Sequence, residues 1–271
     1  MKLILCAVLC FVWAGPAAAE LNRDQLSSEV SRQISDTQLE LIDWMMFYYR
    51  NPRPDEFPGW LRKVSAEGML KGEERQFPFL GFAATLFAAQ EEKVPGWMET
   101  IDALPEDERK TVLLALWLSG TRTAKTILAS EPRRKLIHGR NYFNFDTNKR
   151  PPSLNNLERD SGFLDIQWGR FCASGDEKPV RNIIAVLDIN QFISARGKSR
   201  EARKEREQEI RERKNIARAA LWSLRGNCKI YPEVLAICEK VSEEENLNQT
   251  VYFAIKSILG ELKQEGYNLN E

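Results

Sequence analysis

Apolar residues recur along this chain at spacings of three and four positions, and this spacing constrains the fold more than any other feature of the sequence. It is clearest at Leu41, Trp44, Met45 and Tyr48 and again at Val112, Leu113, Leu116 and Trp117. Such positions share one face of a helix, whereas a strand would alternate apolar and polar residues. From residue 22 onward the sequence therefore predicts an all-α fold, and an apolar content of 43% is enough for a core.

Proline and glycine punctuate the predicted helices in a repeated way. Pro-Gly-Trp occurs at residues 58–60 and 95–97, and Pro179 and Pro232 also precede apolar helical patterns. Proline fits the first helical turn because its missing N–H would have no partner there.

A tryptophan followed by a glycine indicates where helices end. This mark occurs at residues 117–120, 168–175 and 222–226. We therefore expect degenerate helix-hairpin repeats, arranged as a superhelical or irregular helical array. The alternative is an irregular all-α domain without repeats.

Two segments interrupt the helical pattern of the domain that we predict over residues 20–271. Residues 131–163 contain three prolines and several asparagines without helical periodicity, which predicts one long inserted loop. Residues 196–218 are dense in charge, and pairs such as Glu207 with Arg211 favour a helix. We expect this charged helix to face solvent or a partner.

The N-terminus has the three parts of a cleavable signal peptide over residues 1–19. Lys2 is followed by an apolar run over residues 3–13 and then by small residues, with cleavage expected between Ala19 and Glu20. The run is shorter than the roughly 20 residues that span a bilayer, so a retained anchor is the weaker alternative. The sequence predicts a periplasmic or secreted protein without an integral membrane span after processing.

Net charge and residue inventory narrow the functions that the chain can have. Thirty-nine basic residues balance 39 acidic ones, so no overall field favours nucleic acid as a partner. His138 is the single histidine, which excludes a two-histidine zinc motif, and no Gly-x-Ser-x-Gly occurs. We therefore assign no catalytic residue, no metal ligand and no cofactor.

Residues 120–126 partly resemble a phosphate-binding loop, but we expect Gly120 to end a helix and a short helix to follow.

The best candidate for a binding site is the predicted long loop, where positive charge alternates with aromatic rings. Its residues are Arg133, Arg134, Lys135, Arg140, Tyr142, Phe143, Phe145, Lys149 and Arg150. This mixture could hold an acidic polymer, a lipid headgroup or the acidic face of a partner protein. In the alternative interpretation, the aromatic rings fold into the core and the charges face water.

Three cysteines follow the predicted signal peptide. Cys228 and Cys238 are ten positions apart, which suits a disulfide across a helix-turn-helix corner in an oxidising compartment. The alternative is that both are small buried apolar residues, which is also what we expect of Cys172.

Two segments carry a resemblance to a known family. Residues 167–180 (Gln-Trp-Gly-Arg-Phe-Cys-Ala-Ser-Gly-Asp-Glu-Lys-Pro-Val) and 219–228 (Ala-Ala-Leu-Trp-Ser-Leu-Arg-Gly-Asn-Cys) resemble a family of exported bacterial all-helical proteins with no established activity. The resemblance implies a bacterial origin and a helical fold, and it implies no catalytic residues.

Together these features predict an exported helical-repeat protein that binds a protein or peptide partner in the bacterial envelope. One alternative is an enzyme acting on cell-envelope glycan, for which Glu40 and Glu158 are conceivable acids. Another is a periplasmic inhibitor or immunity protein.

Overall fold

A computed structural model describes residues 36–71, 76–137, 149–157, 161–189 and 200–267, and these residues contain helices and turns without a strand. The prediction of an all-α fold is confirmed. The α-helices of the described residues are α1 Asp36–Met46, α2 Phe57–Ala66, α3 Gln76–Ala89, α4 Val94–Asp102, α5 Glu106–Leu118, α6 Arg122–Leu128, α7 Glu131–Ile137, α8 Ser161–Ser174, α9 Glu177–Ala185, α10 Arg200–Ile230, α11 Pro232–Ser242 and α12 Gln249–Gln264. The predicted signal peptide lies outside the described residues. None of the helices that the structure describes combines the length and the apolar character needed to cross a bilayer.

The chain divides into two compact units. The first contains α1 to α7, residues 149–157 and most of α8, and the second contains α9 to α12. In the second unit, α10 and α11 pack against each other and both pack against α12.

Proline begins helices where the sequence predicts it. Pro58, Pro95 and Pro232 occupy the first turns of α2, α4 and α11, and Pro179 is the third residue of α9. The two helices that carry Pro-Gly-Trp pack against each other, so the repeated motif marks two adjacent elements of the helical array.

Glycine ends helices at two of the three predicted positions. Gly120 and Gly175 follow α5 and α8 with φ of +67° and +69°, a conformation that glycine adopts without strain. Gly226 lies inside α10, so the prediction of a helix end there is wrong. The helix continues to Ile230 and ends because Tyr231, with φ of −118° and ψ of 105°, precedes Pro232 and is held out of the helical region.

The predicted long loop is wrong at both of its ends. Glu131–Ile137 is helix α7, and α8 already begins at Ser161. A helix of seven residues has room for about two turns, so its buried Ile137 produces no visible periodicity. Of the rest of the loop, the structure describes residues 149–157.

The charged segment is a helix, as predicted, and it is longer than the sequence indicates. α10 has 31 residues. Between Arg203 and Asn215 its side chains are mostly exposed, whereas Ala220, Leu224 and Cys228 in the second half are buried. Helix α10 therefore joins the core of the second unit only through its C-terminal half.

The core of the first unit is built around α3, which is apolar over nearly all of its length. Most of its side chains from Phe79 to Phe87 are buried, and α5 packs along it. The Phe82 ring contacts those of Trp44 and Tyr48 at centroid distances of 5.4 and 5.3 Å. Such a helix, apolar on all sides, must be covered on all sides.

Helices α3 and α8 approach each other so closely that their backbones touch. A Cβ at Gly81 in α3 would overlap the backbone of Ile166, and a Cβ at Gly169 in α8 would overlap the carbonyl of Pro78 and lie 2.9 Å from the Phe82 nitrogen. Each glycine therefore admits the backbone of the other helix. By contrast, a Cβ at Gly59 or Gly96 would meet nothing within 4 Å.

This crossing predicts opposite outcomes for chemically identical substitutions. Gly81→Ala or Gly169→Ala should lower the unfolding free energy by at least about 2 kcal/mol, because the added methyl group forces the two backbones apart. Gly96→Ala, the matched control in the same unit, should raise it by up to about 1 kcal/mol, because alanine is the better helix former. Urea unfolding followed by circular dichroism measures both effects, and equal midpoints for the three variants would contradict the crossing.

Candidate functional site

Two adjoining clefts in the first unit form the candidate functional site. The first, of about 600 Å³, lies between α3, the end of α5, residues 150–155 and Arg170 of α8, and we call it the α3 cleft. The second, of about 430 Å³, lies between the end of α5, α6 and residues 149–151, and we call it the α6 cleft. Both are lined by Gly120, Arg150 and Pro151.

The clefts are lined by positive charge. Five basic side chains line them: Arg122, Lys125, Lys149, Arg150 and Arg170. None of the described residues that line either cleft is acidic. Apolar side chains complete the walls, among them Leu118 in the α3 cleft and Trp117 and Leu128 in the α6 cleft. The walls therefore combine a positive potential with apolar contact surface.

Gly120 places the loop of residues 149–157 against the end of α5. Its positive φ turns the chain out of α5, and the Pro151 ring lies 3.5 Å from where a Cβ would stand. A Cβ at this position would make ordinary contact with the proline, so it is the positive φ that favours glycine in this turn. Arg150 precedes Pro151 in the chain. The contact between Pro151 and the turn at Gly120 therefore also helps to position Arg150, which lines both clefts.

Helix α8 holds the other end of this loop through two polar side chains. Gln167 is fully buried and donates from Nε2 to the carbonyl of Leu154 at 2.7 Å. Arg170 donates from one guanidinium nitrogen to Asn155 Oδ1 at 2.9 Å and to Gln167 Oε1 at 2.8 Å. The loop backbone is thus tied to a helix whose position is set by the glycine crossing.

The segment that resembles a phosphate-binding loop is a helix junction, as predicted. Gly120 ends α5 and α6 follows, with Thr121 as its N-cap accepting from the Ala124 amide at 3.1 Å. The Thr123 amide donates to the Glu91 carboxylate at 2.7 Å, and this hydrogen bond lowers the pKa of Glu91. Protein oxygens therefore already accept from these two amides of the first turn.

The structure describes five of the nine residues named for the predicted binding loop, and it places Arg133, Arg134 and Lys135 on α7. Arg133 makes a two-point ion pair with Asp102, with 3.2 Å between Nε and Oδ1, which ties α7 to the end of α4. This hydrogen bonding raises the pKa of Arg133. Arg134 and Lys135 are exposed on α7. The remaining members, Arg140, Tyr142, Phe143 and Phe145, lie outside the described residues.

Sequence reasoning missed three of the five cleft cations. Lys149 and Arg150 belong to the predicted loop, whereas Arg122, Lys125 and Arg170 do not. Arg122 and Lys125 come shortly after Gly120. The glycine predicts a helix end there, and this turn was the sequence feature that could have drawn attention to the two cations. For Arg170 the sequence carries no such signal, because it sits within an otherwise apolar helical pattern.

Of the two carboxylates considered for catalysis, the structure describes Glu40, which lines neither cleft. Glu40 is exposed and pairs with Lys63 at 3.4 Å, and Glu158 lies outside the described residues. Glu108 is buried without a hydrogen-bond partner for either oxygen, but it lines neither cleft. Within the described part of the chain, no group of His, Cys, Asp or Glu side chains could hold a metal ion.

The predicted disulfide is not formed in this structure, although the two cysteines are neighbours. The Sγ atoms of Cys228 and Cys238 lie 3.7 Å apart as thiols, and both side chains are buried. Contact with Cys238, and then burial, raise the pKa of the Cys228 thiol well above its ordinary value. The sequence therefore predicted which two cysteines are neighbours across the corner between α10 and α11, although no bond joins them in this structure.

Comparisons with protein-family models, with curated proteins and with solved structures find no match to this chain. The clefts and the charges that line them are therefore the basis for any statement about function.

Proposed function

We propose that this protein is an exported helical scaffold that binds an acidic polypeptide segment of a partner protein in the α3 and α6 clefts. The observation that carries the proposal is the gathering of five basic side chains around two adjoining clefts whose described lining contains no carboxylate. The whole chain has balanced charge, so this local excess is a property of the site.

The chemistry of the lining favours carboxylates on an extended chain. Guanidinium groups such as those of Arg122 and Arg150 match a carboxylate with paired hydrogen bonds. Accessible apolar groups of the lining, such as Ala88, Pro151 and Pro152, would contact the aliphatic and backbone parts of the same segment. An acidic polypeptide supplies both kinds of group at the spacing of successive side chains.

Nucleic acid fits these walls less well. Binding of single strands depends on aromatic rings on which bases can stack. The one aromatic residue among the described lining residues is Trp117, which is only 6% exposed and has a buried indole nitrogen. Its ring therefore offers little surface to a base.

Binding of a fluorescently labelled oligoglutamate, followed by fluorescence anisotropy, tests the proposal. The double variant Lys125→Glu/Arg150→Glu should weaken binding at least about 10-fold, which corresponds to about 1.4 kcal/mol, because it reverses charge in both clefts. The control Arg203→Glu/Lys204→Glu makes the same change in net charge on the exposed half of α10 and should alter affinity less than about 3-fold. Affinity for the unaltered protein should fall as salt is raised.

Two results would contradict the proposal. One is an equal loss of affinity in the cleft variant and the α10 control, which would mean that binding responds to net charge alone. The other is tight binding of inorganic polyphosphate by a protein that does not bind oligoglutamate, which would replace a protein partner with a phosphate polymer.

Export is part of the same proposal and rests on the pattern of residues 1–19. In an oxidising compartment, the thiols of Cys228 and Cys238 would give two protons and two electrons to the disulfide of a thiol oxidase and become bridged. Their buried positions 3.7 Å apart make this a small rearrangement. Cys172 is the internal control, because it is buried elsewhere, in α8.

Mass spectrometry of the full chain expressed in an exporting bacterium checks both points. We expect a mature protein that begins at Glu20. After denaturation without reductant, Cys172 should accept an alkylating reagent while Cys228 and Cys238 should not. A protein that keeps residues 1–19, or that is alkylated at all three cysteines, would show that the chain is not processed and oxidised as proposed.

A further inference from the structure

Arg170 differs from the other basic residues that line the clefts. Arg122, Lys125, Lys149 and Arg150 are exposed, whereas Arg170 is part-buried in the wall of the α3 cleft. Burial lowers the pKa of its guanidinium, and the charge of Asp176 opposes this effect. Arg170 therefore keeps a positive charge in a place that is partly removed from water.

The hydrogen-bond acceptors around Arg170 do not neutralise that charge. Its two acceptors among the described residues, Asn155 Oδ1 and Gln167 Oε1, are neutral amide oxygens, and both accept from the same guanidinium nitrogen. Arg170 makes no ion pair with a carboxylate of the described residues. Its Nε and its second terminal nitrogen donate to no described protein group. A partly desolvated charge that is opposed only by the non-contacting charge of Asp176 is costly, and an anion that entered the cleft would reduce that cost.

Arg150 is the other charged donor among the described residues that line the α3 cleft, and two hydroxyls of the lining already donate to protein carbonyls. The hydroxyl of Thr85 donates to the carbonyl of Gly81 at 2.9 Å, and that of Ser119 donates to the carbonyl of Leu116 at 2.6 Å. Pro151 and Pro152 have no N–H. Ala84 and Ala88, which also line this cleft, have small side chains without a donor.

We propose that Arg170 is the specificity-determining residue of the cleft, binding one carboxylate of the acidic segment through the donors of its guanidinium that face no described protein acceptor. The proposal rests on the function proposed above. The exposed cations then attract the segment and contact its other carboxylates, while Arg170 selects a carboxylate that fits the α3 cleft. That carboxylate comes either from a glutamate or aspartate side chain or from the C-terminus of the partner.

Three variants separate a binding role of Arg170 from its role in holding the loop. Arg170→Gln removes the charge and should weaken oligoglutamate binding about 10- to 100-fold, as expected for a charge-assisted hydrogen bond. Arg170→Lys keeps the charge but removes the planar guanidinium that can donate two hydrogen bonds to one carboxylate. It should therefore weaken oligoglutamate binding less than Arg170→Gln does, but still at least about 3-fold. Gln167→Met breaks the hydrogen bond that ties α8 to the Leu154 carbonyl and leaves the cation in place. Gln167 is buried and lines neither cleft, so this variant should change affinity less than about 3-fold.

Each outcome decides between the two proposals. If the unaltered protein does not bind oligoglutamate, the proposed function and this inference are both wrong. If it binds, and Lys125→Glu/Arg150→Glu weakens binding while the Arg170 variants do not, the inference alone is wrong. An equal loss of affinity in Gln167→Met and Arg170→Gln also overturns it, because Arg170 would then act only through the loop. Should Arg170→Gln fail to fold, Arg170→Lys decides in the same way, and wild-type affinity there would refute the inference.

The source of the carboxylate follows from a second probe. Oligoglutamate with an amidated C-terminus should bind as tightly as the free acid if side-chain carboxylates occupy the site. A loss that appears only with the amide, and that disappears in the Arg170→Gln background, would support the inference with the C-terminal carboxylate as the bound group. A loss with the amide that persists undiminished in Arg170→Gln would contradict it.

Discussion

The contact between the backbones of α3 and α8 at Gly81 and Gly169 is the constraint on which the candidate site depends. Only glycine allows this approach, since a Cβ at either position would overlap the opposite helix. The crossing places Gln167 and Arg170 beside the loop, where they hold residues 154 and 155, and Arg170 also lines the α3 cleft. Arg150 and Pro151 are thereby brought to the end of α5, so a purely steric contact in the core fixes the positions of surface charges.

The lining of the clefts contains basic residues without acidic ones among the described residues. Several basic side chains elsewhere pair with acids, as Arg133 does with Asp102, or as Lys240 does with Glu177, whose pKa is lowered mainly by that hydrogen bond. Around the clefts, cations are gathered without acidic residues among the described lining. Such a departure from charge pairing is expected where a ligand completes the interactions of a site. It is this imbalance that supports binding of an acidic segment.

Much of the fold follows from local sequence, whereas the site follows from contacts distant in the chain. Periodicity predicts the helices, and Pro58, Pro95 and Gly120 predict several of their ends, because these residues act through their own backbone conformations. Helix α7 was missed because two turns are too short to show a period, and the end at Gly226 was wrong because Pro232 sets the boundary of α10. The sequence could not identify Arg170 as a cleft residue. Its position in the α3 cleft depends on the glycine crossing and on a loop more than ten residues away in the chain.

The most direct test of this account is where an acidic segment contacts the protein. Backbone amide chemical shifts, measured by NMR during titration with unlabelled oligoglutamate, report that location without altering any residue. The account predicts the largest shifts at residues 118–128, at 149–155 and at Arg170, with little change at residues 203–215 of α10. Largest shifts on α10, or elsewhere in the second unit, would contradict the assignment of the clefts as the binding site.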